Sequence, residues 1–334
     1  MKKILIIAEA GVNHNGSLSK AKKLIDLASK AGADIIKFQT FKTKNLLTKS
    51  LVKAKYQIDN NNKNEKQFEM LSKLELKSSY HYEIARYCKK KNIEFLSTAF
   101  DLESLNFLNN FNLKRLKIPS GEITNFPYLK HIAGLKKKII LSTGMSKISE
   151  IQEAIKVLLK YGATKNKITL LHCTTEYPTP YEEVNLHAML QMKSKFNTKV
   201  GYSDHTNGIE IPIAAAALGA SIIEKHITLS KKLEGPDHKS SLEFEELNSM
   251  IKSIRNIEVS LGTGIKKPTK SEYKNRNIIR KFIVAKIDIL KGTILTEKNL
   301  TVKRSGKGIN PMNWNKLLGK KAIKDFKKDQ IIKI

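Results

Sequence analysis

The chain has 334 residues, of which 40% are apolar and 7% aromatic, enough to bury the core of one large domain and a small one. Its two cysteines exclude a disulfide-rich secreted scaffold, and no run of eighteen apolar residues predicts a membrane span. The net charge of +30 would suit a nucleic-acid-binding protein, but the lysines are spread over predicted helix surfaces without a helix-turn-helix, RRM or zinc signature, so we expect no nucleic-acid partner.

The N-terminus begins with two lysines and the apolar run from Ile4 to Ala8, which resembles the start of a signal peptide. Glu9 interrupts this run too early, and no cleavage-type segment follows it. We therefore expect a cytoplasmic protein, in which the positive charge is either compositional or attracts anionic substrates.

Short β-branched runs alternate along the chain with longer segments of helical period, which is typical of βα units with a parallel sheet. The eight predicted strands are Ile4 to Ala8, Ile35 to Phe38, Glu94 to Ser97, Leu116 to Ile118, Lys138 to Ser142, Ile168 to His172, Lys199 to Ser203 and Ser221 to His226. Eight strand–helix pairs in roughly 265 residues have the size and rhythm of a closed TIM barrel.

The helical segments follow the strands in turn. They are predicted at Leu18 to Ala31, Tyr80 to Lys90, Leu102 to Asn109, Tyr128 to Ala133, Ile148 to Tyr161, Leu186 to Lys195, Ile211 to Leu218 and Phe244 to Leu261. The stretch from Thr43 to Lys66 fits no element, and so long a loop within a domain is usually a lid or a substrate loop.

The composition changes after Gly264. Residues 266–334 hold 20 Lys or Arg against 5 Asp or Glu, which gives a net charge of +15, together with short strands and no long helix. We predict an α/β fold in which residues 1–264 form a (β/α)8 TIM-barrel catalytic domain. Residues 265–280 are expected to be a linker, and residues 281–334 a small β-rich domain.

Residues able to do chemistry stand at nearly every predicted strand end. In a TIM barrel the loops after the strands converge, so one site built from all the strands explains them together, although strand ends are often polar anyway. These residues are Glu9, Asn13, His14, Lys37, Gln39, Ser97, Thr98, Lys117, Ser120, Glu122, Ser142, Thr143, His172, Thr175, Tyr177, Ser203, Asp204, His205, Glu224, Lys225 and His226.

Two histidines, His205 and His226, end adjacent predicted strands and can reach one cation. Two imidazoles completed by waters suit Mn²⁺, Mg²⁺ or Co²⁺ better than a closed four-ligand zinc site. The alternative is that each is a hydrogen-bonded core histidine.

Lys37 and Lys117 each suit a Schiff-base nucleophile, a phosphate anchor or a carboxylate partner. Ser120 and Ser142 near Lys117 favour an anion cradle, whereas a Schiff-base aldolase is the rival enzyme class. Glu122 is either an acid/base group or the partner of a barrel lysine.

The sequence resembles the bacterial sialic acid synthases, a family that includes N-acetylneuraminate, legionaminate and pseudaminate synthases. The motifs that carry the resemblance cover the whole chain in order: Ala8 to Gly16, Lys37 to Lys42, Leu96 to Asp101, Lys117 to Asn125, Leu141 to Met145, Leu171 to Pro180, Gly201 to Thr206, Glu224 to Leu229, Gly235 to His238 and Val302 to Pro311. The last motif is similar to the antifreeze-like (SAF) domain of these synthases.

The resemblance assigns roles position by position. It implies His205 and His226 as ligands of a divalent metal and Glu122 as the carboxylate acting on water or phosphate. It implies phosphoenolpyruvate contacts at Lys117, Ser120, Ser142, Thr175 and Ser203, and a sugar pocket at Glu9, Lys37, Gln39, Tyr177 and Asp237. Thr143 is expected to be a further substrate-binding residue. Glu9, Lys117 and Glu122 are the expected catalytic group.

The resemblance also implies a homodimer in which Arg304 of the C-terminal domain reaches into the partner's active site. Ser305 follows this arginine where the family usually has proline, which pre-sets φ and stiffens a loop. Arg304 is therefore expected to be held less firmly than the barrel residues.

The implied reaction condenses phosphoenolpyruvate with an N-acetylated aldose and water, giving a nine-carbon 2-keto acid and phosphate. We expect N-acetylneuraminate synthase with N-acetylmannosamine as its sugar. The alternative is legionaminate synthase with 2,4-diacetamido-2,4,6-trideoxymannose, and pseudaminate synthase fits the motifs less well.

Overall fold

Within residues 3–53, 58 and 66–334, which the computed structural model describes, eight parallel strands close into a barrel in chain order. Each strand pairs with the next, and the last pairs with the first. The strands are β1 Leu5–Gly11, β2 Ile35–Thr40, β3 Glu94–Ala99, β4 Arg115–Ile118, β5 Lys138–Ser142, β6 Ile168–His172, β7 Lys199–Asp204 and β8 Ile222–His226. The predicted (β/α)8 architecture is confirmed.

Helices follow the strands, and the predicted ones lie within two residues of their expected bounds. The helices of this part of the chain are Leu18–Ala31, Thr43–Leu46, Gln67–Leu74, Ser78–Lys90, Leu102–Asn109, Phe126–Gly134, Ile148–Lys160, His187–Phe196, Glu210–Ala217 and Phe244–Ser260. The first is capped by Ser17, whose side chain accepts from the Lys20 amide, and by Gly32, which has a left-handed φ of 85°. Among the described residues, no helix is long and apolar enough to cross a bilayer.

The segment expected to be a loop, residues 43–66, is partly helical where it is described. It starts with the short helix Thr43–Leu46, while residues 54–57 and 59–65 lie outside the described part of the chain. The unpredicted helix Gln67–Leu74 follows. A separate apolar cluster of Val12, Phe41, Met70 and Leu74 packs this segment against the ends of β1 and β2.

Strand β8 shows how the barrel separates its charged residues. Glu224 bonds with Lys117 of β4, a strand that is not its neighbour, so its side chain reaches across the barrel interior. Because side chains alternate along a strand, His226 shares that face and Lys225 lies on the helix-facing side. The inward residues near the carboxyl end of β8 are therefore polar.

The chain divides into two compact units, Met1–Gly262 and Thr263–Ile334. The second begins with the helix Lys270–Ile279, which was not predicted and starts at a capping box formed by Thr269 and Glu272. Strands β9 (Lys281–Ala285) and β10 (Leu300–Arg304) then pair antiparallel. They pack on a small apolar core, and the short helix Trp314–Leu317 follows.

Candidate active site

Four charged side chains meet inside the barrel. Glu9 (β1), Lys37 (β2), Lys117 (β4) and Glu224 (β8) are each at most 5% exposed. Lys37 forms an ion pair with Glu9 and lies 3.6 Å from Glu224 Oε2. Glu224 Oε1 accepts hydrogen bonds from Lys117 Nζ at 3.0 Å and from Ser203 Oγ at 2.9 Å. Glu224 thus joins both lysines and β7.

The two carboxylates of this cluster have opposite electrostatic character. Burial raises the pKa of Glu9 to about 7, although Lys37 beside it acts in the other direction. Burial would also raise the pKa of Glu224, but Lys117 and Lys37 together hold it well below its usual range. Two carboxyl groups with separated pKa values are typical of acid–base sites, and Glu9 is the one able to exchange a proton near neutral pH.

The pKa values of the two lysines are also shifted in opposite directions. Burial would lower the pKa of Lys37, but Glu224 and Glu9 raise it above its usual value, so this side chain stays an ammonium. Burial lowers the pKa of Lys117 despite the opposing effect of Glu224. A charged Lys37 is a poor Schiff-base nucleophile, because imine formation requires the free amine.

His205 and His226 lie side by side at the ends of β7 and β8, with ring centroids 5.6 Å apart. His205 Nδ1 is 2.6 Å from the carbonyl oxygen of Thr174. A carbonyl can only accept, so Nδ1 carries the proton and Nε2 keeps its lone pair for a metal. His226 Nδ1 is buried without a hydrogen-bond partner. A buried imidazole nitrogen with a free lone pair would fit a divalent cation.

The electrostatics of both rings also suit metal binding. Burial lowers the pKa of His205 to about 4 and that of His226 well below its usual value, so both are neutral near pH 7. Asp237 Oδ2 lies 3.9 Å from His226 Nδ1. The described residues contain no group of three or more His, Cys, Asp or Glu arranged around one ion position. Two neutral imidazoles fit an open site that water or substrate would complete.

A second polar group surrounds Gly144 after β5. The Gly144 amide donates to Ser120 Oγ at 2.9 Å, and a Cβ built on this glycine would lie 2.3 Å from Thr175 Oγ1. Ser142 Oγ on the same strand is buried without a partner. Hydroxyls and a backbone turn at strand ends are the groups that bind a phosphate or a carboxylate.

Two predicted residues use their side chains locally. The Thr143 hydroxyl donates to the carbonyl oxygen of Leu171 at 2.9 Å. Glu122, in the 3₁₀ turn Ser120–Glu122 after β4, accepts a hydrogen bond from Asn125, and burial raises its pKa. A raised pKa is what a carboxyl group needs in order to take up a proton near neutral pH.

A cavity of about 270 Å³ opens beside the histidines. Gln39, Tyr177, His226 and Asp237 form its polar end, and the Tyr177 ring lies 4.1 Å from that of His205. Burial raises the pKa of Asp237 to about 7. The remaining wall holds the polar residue Gln67 and the apolar residues Val12, Phe41, Leu46, Leu47, Leu71, Phe100 and Pro236. The cavity is apolar on one side and ionisable on the other.

Gly11 is required where this cavity meets the charged cluster. Its φ is +51°, and an added Cβ would lie 3.1 Å from Glu9 Oε1, 3.3 Å from His226 Cε1 and 3.4 Å from Gln39 Nε2. A side chain here would fill the space on which three predicted site residues converge.

Arg304 ends β10 in the second unit and its side chain is exposed. Ser305, which stands where proline was expected, donates its hydroxyl to the Lys307 carbonyl at 2.8 Å. This bond gives the turn after Arg304 some of the stiffness that a proline ring would supply.

Glu224 is the site residue that the sequence analysis left without a role. Its signal was present, since Glu224 and His226 are two residues apart on one predicted strand and so share its inward face.

Comparisons with known proteins agree over the whole length. The NeuB family profile matches residues 24–266, and the SAF domain profile matches residues 280–334. An N,N'-diacetyllegionaminic acid synthase from Campylobacter jejuni is 57% identical, with 100% of both chains covered. One of the same name from Legionella pneumophila is 45% identical, covering 94% of this chain and 89% of its own.

A solved structure is similar as well. The N-acetylneuraminic acid synthetase of Leptospira borgpetersenii, crystallised with citrate, superposes with a TM-score of 0.71 at 35% identity. The match covers 84% of this chain and 93% of the other.

Proposed function

The chain belongs to the NeuB family and has a C-terminal SAF domain, and from that membership we propose that it is an N,N'-diacetyllegionaminic acid synthase. It is a phosphoenolpyruvate-dependent, carbon–carbon bond-forming transferase of the sialic acid synthase type, as the motifs predicted. The proposed second substrate is 2,4-diacetamido-2,4,6-trideoxymannose.

The choice of sugar corrects our main expectation. We expected N-acetylmannosamine, but relatives named N,N'-diacetyllegionaminic acid synthase, one of them 57% identical, favour the alternative. The observation that carries this choice in the structure is the apolar wall of the cavity. The diacetamido sugar has an acetamido group at C4 and a methyl group at C6, where N-acetylmannosamine has hydroxyls that such a wall would desolvate without compensation.

We place phosphoenolpyruvate against the polar groups of the barrel interior. Lys117 supplies the fixed positive charge, and the residues around Gly144 supply uncharged donors. This placement uses Lys117, Ser120, Ser142, Thr143, Thr175 and Ser203. When phosphoenolpyruvate binds here, its anionic groups take over part of the contact that Lys117 makes with Glu224 in the free enzyme. Lys117 therefore faces a negative charge in both states.

The aldose is placed in the adjoining cavity. Gln39 and Tyr177 bind its polar edge, Leu46 and Leu71 face its methyl groups, and Asp237 lies at its ionisable end. Glu9 and Lys37 complete the polar floor below Gly11. Holding both reactants in adjoining sites converts a bimolecular encounter into an oriented reaction.

A divalent cation, Mn²⁺, Mg²⁺ or Co²⁺, would be held by His205 and His226, whose neutral rings and unpartnered buried nitrogen fit it. When bound, it supplies Lewis-acid polarisation of the sugar aldehyde. The protein holds the tautomer of His205 through the Thr174 carbonyl, which orients the ligand nitrogen.

The reaction joins C3 of phosphoenolpyruvate to the aldehyde carbon, whose oxygen takes a proton and becomes a hydroxyl. Water adds at C2, and the bond between C2 and the phosphate oxygen then breaks. The remaining hydroxyl proton at C2 leaves with the phosphate, and C2 becomes the keto carbon. Glu122 takes the proton of the water, for which its raised pKa is suited. Glu9, with a pKa of about 7, supplies the proton that the aldehyde oxygen gains.

The C-terminal SAF domain is proposed to act in a homodimer, with the exposed Arg304 entering the partner's sugar pocket. A cytoplasmic location is part of the same proposal. The free thiols Cys88 and Cys173 support it, because reducing compartments preserve unpaired cysteines.

The test is phosphate release with purified protein, phosphoenolpyruvate and each aldose in turn. We expect kcat/KM for the diacetamido sugar to exceed that for N-acetylmannosamine by at least tenfold, since discrimination by small apolar groups is worth about 1–3 kcal/mol each. Equal or inverted values would return the assignment to N-acetylneuraminate synthase.

A further inference from the structure

A second buried ion pair lies directly beside the proposed metal ligands. Lys225 Nζ is 2.5 Å from Asp204 Oδ2, and both side chains are completely buried. The two residues are register partners on β7 and β8. Each immediately precedes one of the two histidines, His205 and His226, in the chain. The pair therefore links the two strands at the last position before both histidines.

The same two side chains also hold the backbone on the far side of His205. Lys225 Nζ donates to the carbonyl oxygen of Thr206. Asp204 Oδ1 accepts from the Thr206 amide at 3.2 Å and from its hydroxyl at 3.0 Å. His205 is thus fixed from before and after by groups that do not touch its ring.

We propose that Asp204 and Lys225 are positioning residues that set the separation and direction of the two metal-binding imidazoles. Side chains alternate along a strand, so the ion pair faces the helices while His205 and His226 face the site. Residues behind metal ligands commonly fix the ligand geometry in this way. The inference rests on the proposed function, because it takes the histidine pair to be the metal site.

A purely stabilising role explains the pair less well. Burying two charges costs several kcal/mol in desolvation, and apolar residues of similar volume often stabilise a fold as well or better. The ammonium of Lys225 bridges Asp204 and the Thr206 carbonyl at once. That bridge constrains the backbone around His205. An apolar pair at positions 204 and 225 would make no such bond to the Thr206 carbonyl.

The experiment compares two double variants of the full chain after metal removal. Asp204→Asn with Lys225→Met leaves no unpaired charge at these two positions, so folding is expected to survive while the Lys225 bridge to the Thr206 carbonyl is absent. The control is Asp34→Asn with Arg255→Met, an ion pair of 2.7 Å at the opposite end of the barrel and somewhat more exposed. Mn²⁺ affinity is measured by calorimetry and by the free-Mn²⁺ EPR signal, and folding by the melting temperature.

We expect the Asp204/Lys225 variant to bind Mn²⁺ about 10–100-fold more weakly than wild type, with activity returning as Mn²⁺ is raised. The control variant should keep wild-type affinity whatever its melting temperature. Thr206→Val, which removes only the hydroxyl bond to Asp204, serves if the double variant does not fold, and a weakening of about threefold is expected.

The outcomes separate this inference from the proposed function. If wild type binds Mn²⁺, His205→Ala abolishes the binding and the folded Asp204 and Thr206 variants bind normally, the positioning role is overturned while the metal site stands. If wild type binds no Mn²⁺, the metal assignment fails and this inference fails with it.

Discussion

Lys117 Nζ and Glu224 Oε1 are 3.0 Å apart and connect β4 with β8 across the interior of the barrel. Glu224 also interacts with Lys37, so one carboxylate contacts both ammonium groups of the proposed active site. Removing the Glu224 carboxylate therefore tests whether it keeps Lys117 protonated.

We expect Glu224→Gln to weaken phosphoenolpyruvate binding most at high pH. Burial already lowers the pKa of Lys117, and loss of Glu224 removes the largest effect that opposes it. Lys117 then loses its proton at a lower pH than in wild type. The KM for phosphoenolpyruvate should rise by about tenfold for each pH unit above the new pKa, as a pH profile of phosphate release will record.

The control for this variant is Glu94→Gln, which breaks an ion pair with Arg115 at the amino end of the barrel. Its profile should match that of wild type. A Glu224→Gln enzyme with an unshifted profile would mean that Lys117 does not depend on Glu224 for its charge.

The sugar cavity gives the second prediction. Leu71→Gln places an amide in the apolar wall, and desolvating it disfavours a sugar that presents methyl groups there. We expect kcat/KM for the diacetamido sugar to fall about tenfold, with a smaller loss for N-acetylmannosamine. Leu159→Gln, at a half-exposed position on the outer helix Ile148–Lys160, is the matched control. Equal losses for both sugars would show that Leu71 does not contribute to selectivity.

The third prediction concerns the metal. EDTA should abolish turnover, and Mn²⁺, Mg²⁺ or Co²⁺ should restore it, because the aldehyde needs a Lewis acid. His205→Ala and His226→Ala should each lose metal-dependent activity with unchanged circular dichroism, whereas the exposed His131→Ala should behave as wild type. Full turnover by a metal-stripped sample would end this assignment.

The fourth prediction follows from the buried carboxyl group of Asp237. Burial raises its pKa to about 7, far above its value in the unfolded chain. The folded state then holds the proton more tightly, so stability is lost as pH rises from about 4 to 7 and stays reduced above pH 7.

Asp237→Asn cannot titrate and avoids this loss, by an amount on the order of 4 kcal/mol at pH 8. In metal-free protein, the melting temperature of the variant relative to wild type should be higher at pH 8 than at pH 5. Calorimetry at the two pH values measures it, and an equal difference at both would show that Asp237 is charged in the folded protein.

The eight strands could be predicted from sequence because each is a short apolar run ending in polar residues, a local pattern. The helix Lys270–Ile279 escaped prediction because all its residues are exposed and no apolar stripe marks it. Its signal was the capping pair Thr269 and Glu272.

Some features of the candidate site could likewise be predicted from the sequence, and others could not. The positions of Glu9, His205 and His226 at strand ends follow from the order of the elements. The partner of Lys117 does not, because Glu224 lies 107 residues away and meets it only when the barrel closes. Which of two carboxylates has the raised pKa depends on that closure as well.

The fifth prediction tests whether the SAF domain acts on the neighbouring subunit. Arg304 is exposed at the end of β10, and Arg304→Ala should raise the KM for the sugar more than that for phosphoenolpyruvate. The decisive measurement mixes Arg304→Ala chains with Glu122→Gln chains. In a swapped heterodimer, one barrel keeps Glu122 and receives its arginine from the chain whose Arg304 is intact. Random exchange would then restore about a quarter of the wild-type activity, whereas each homodimer stays impaired. With subunit exchange confirmed by differently tagged chains, no recovery on mixing would mean that Arg304 serves its own barrel or none.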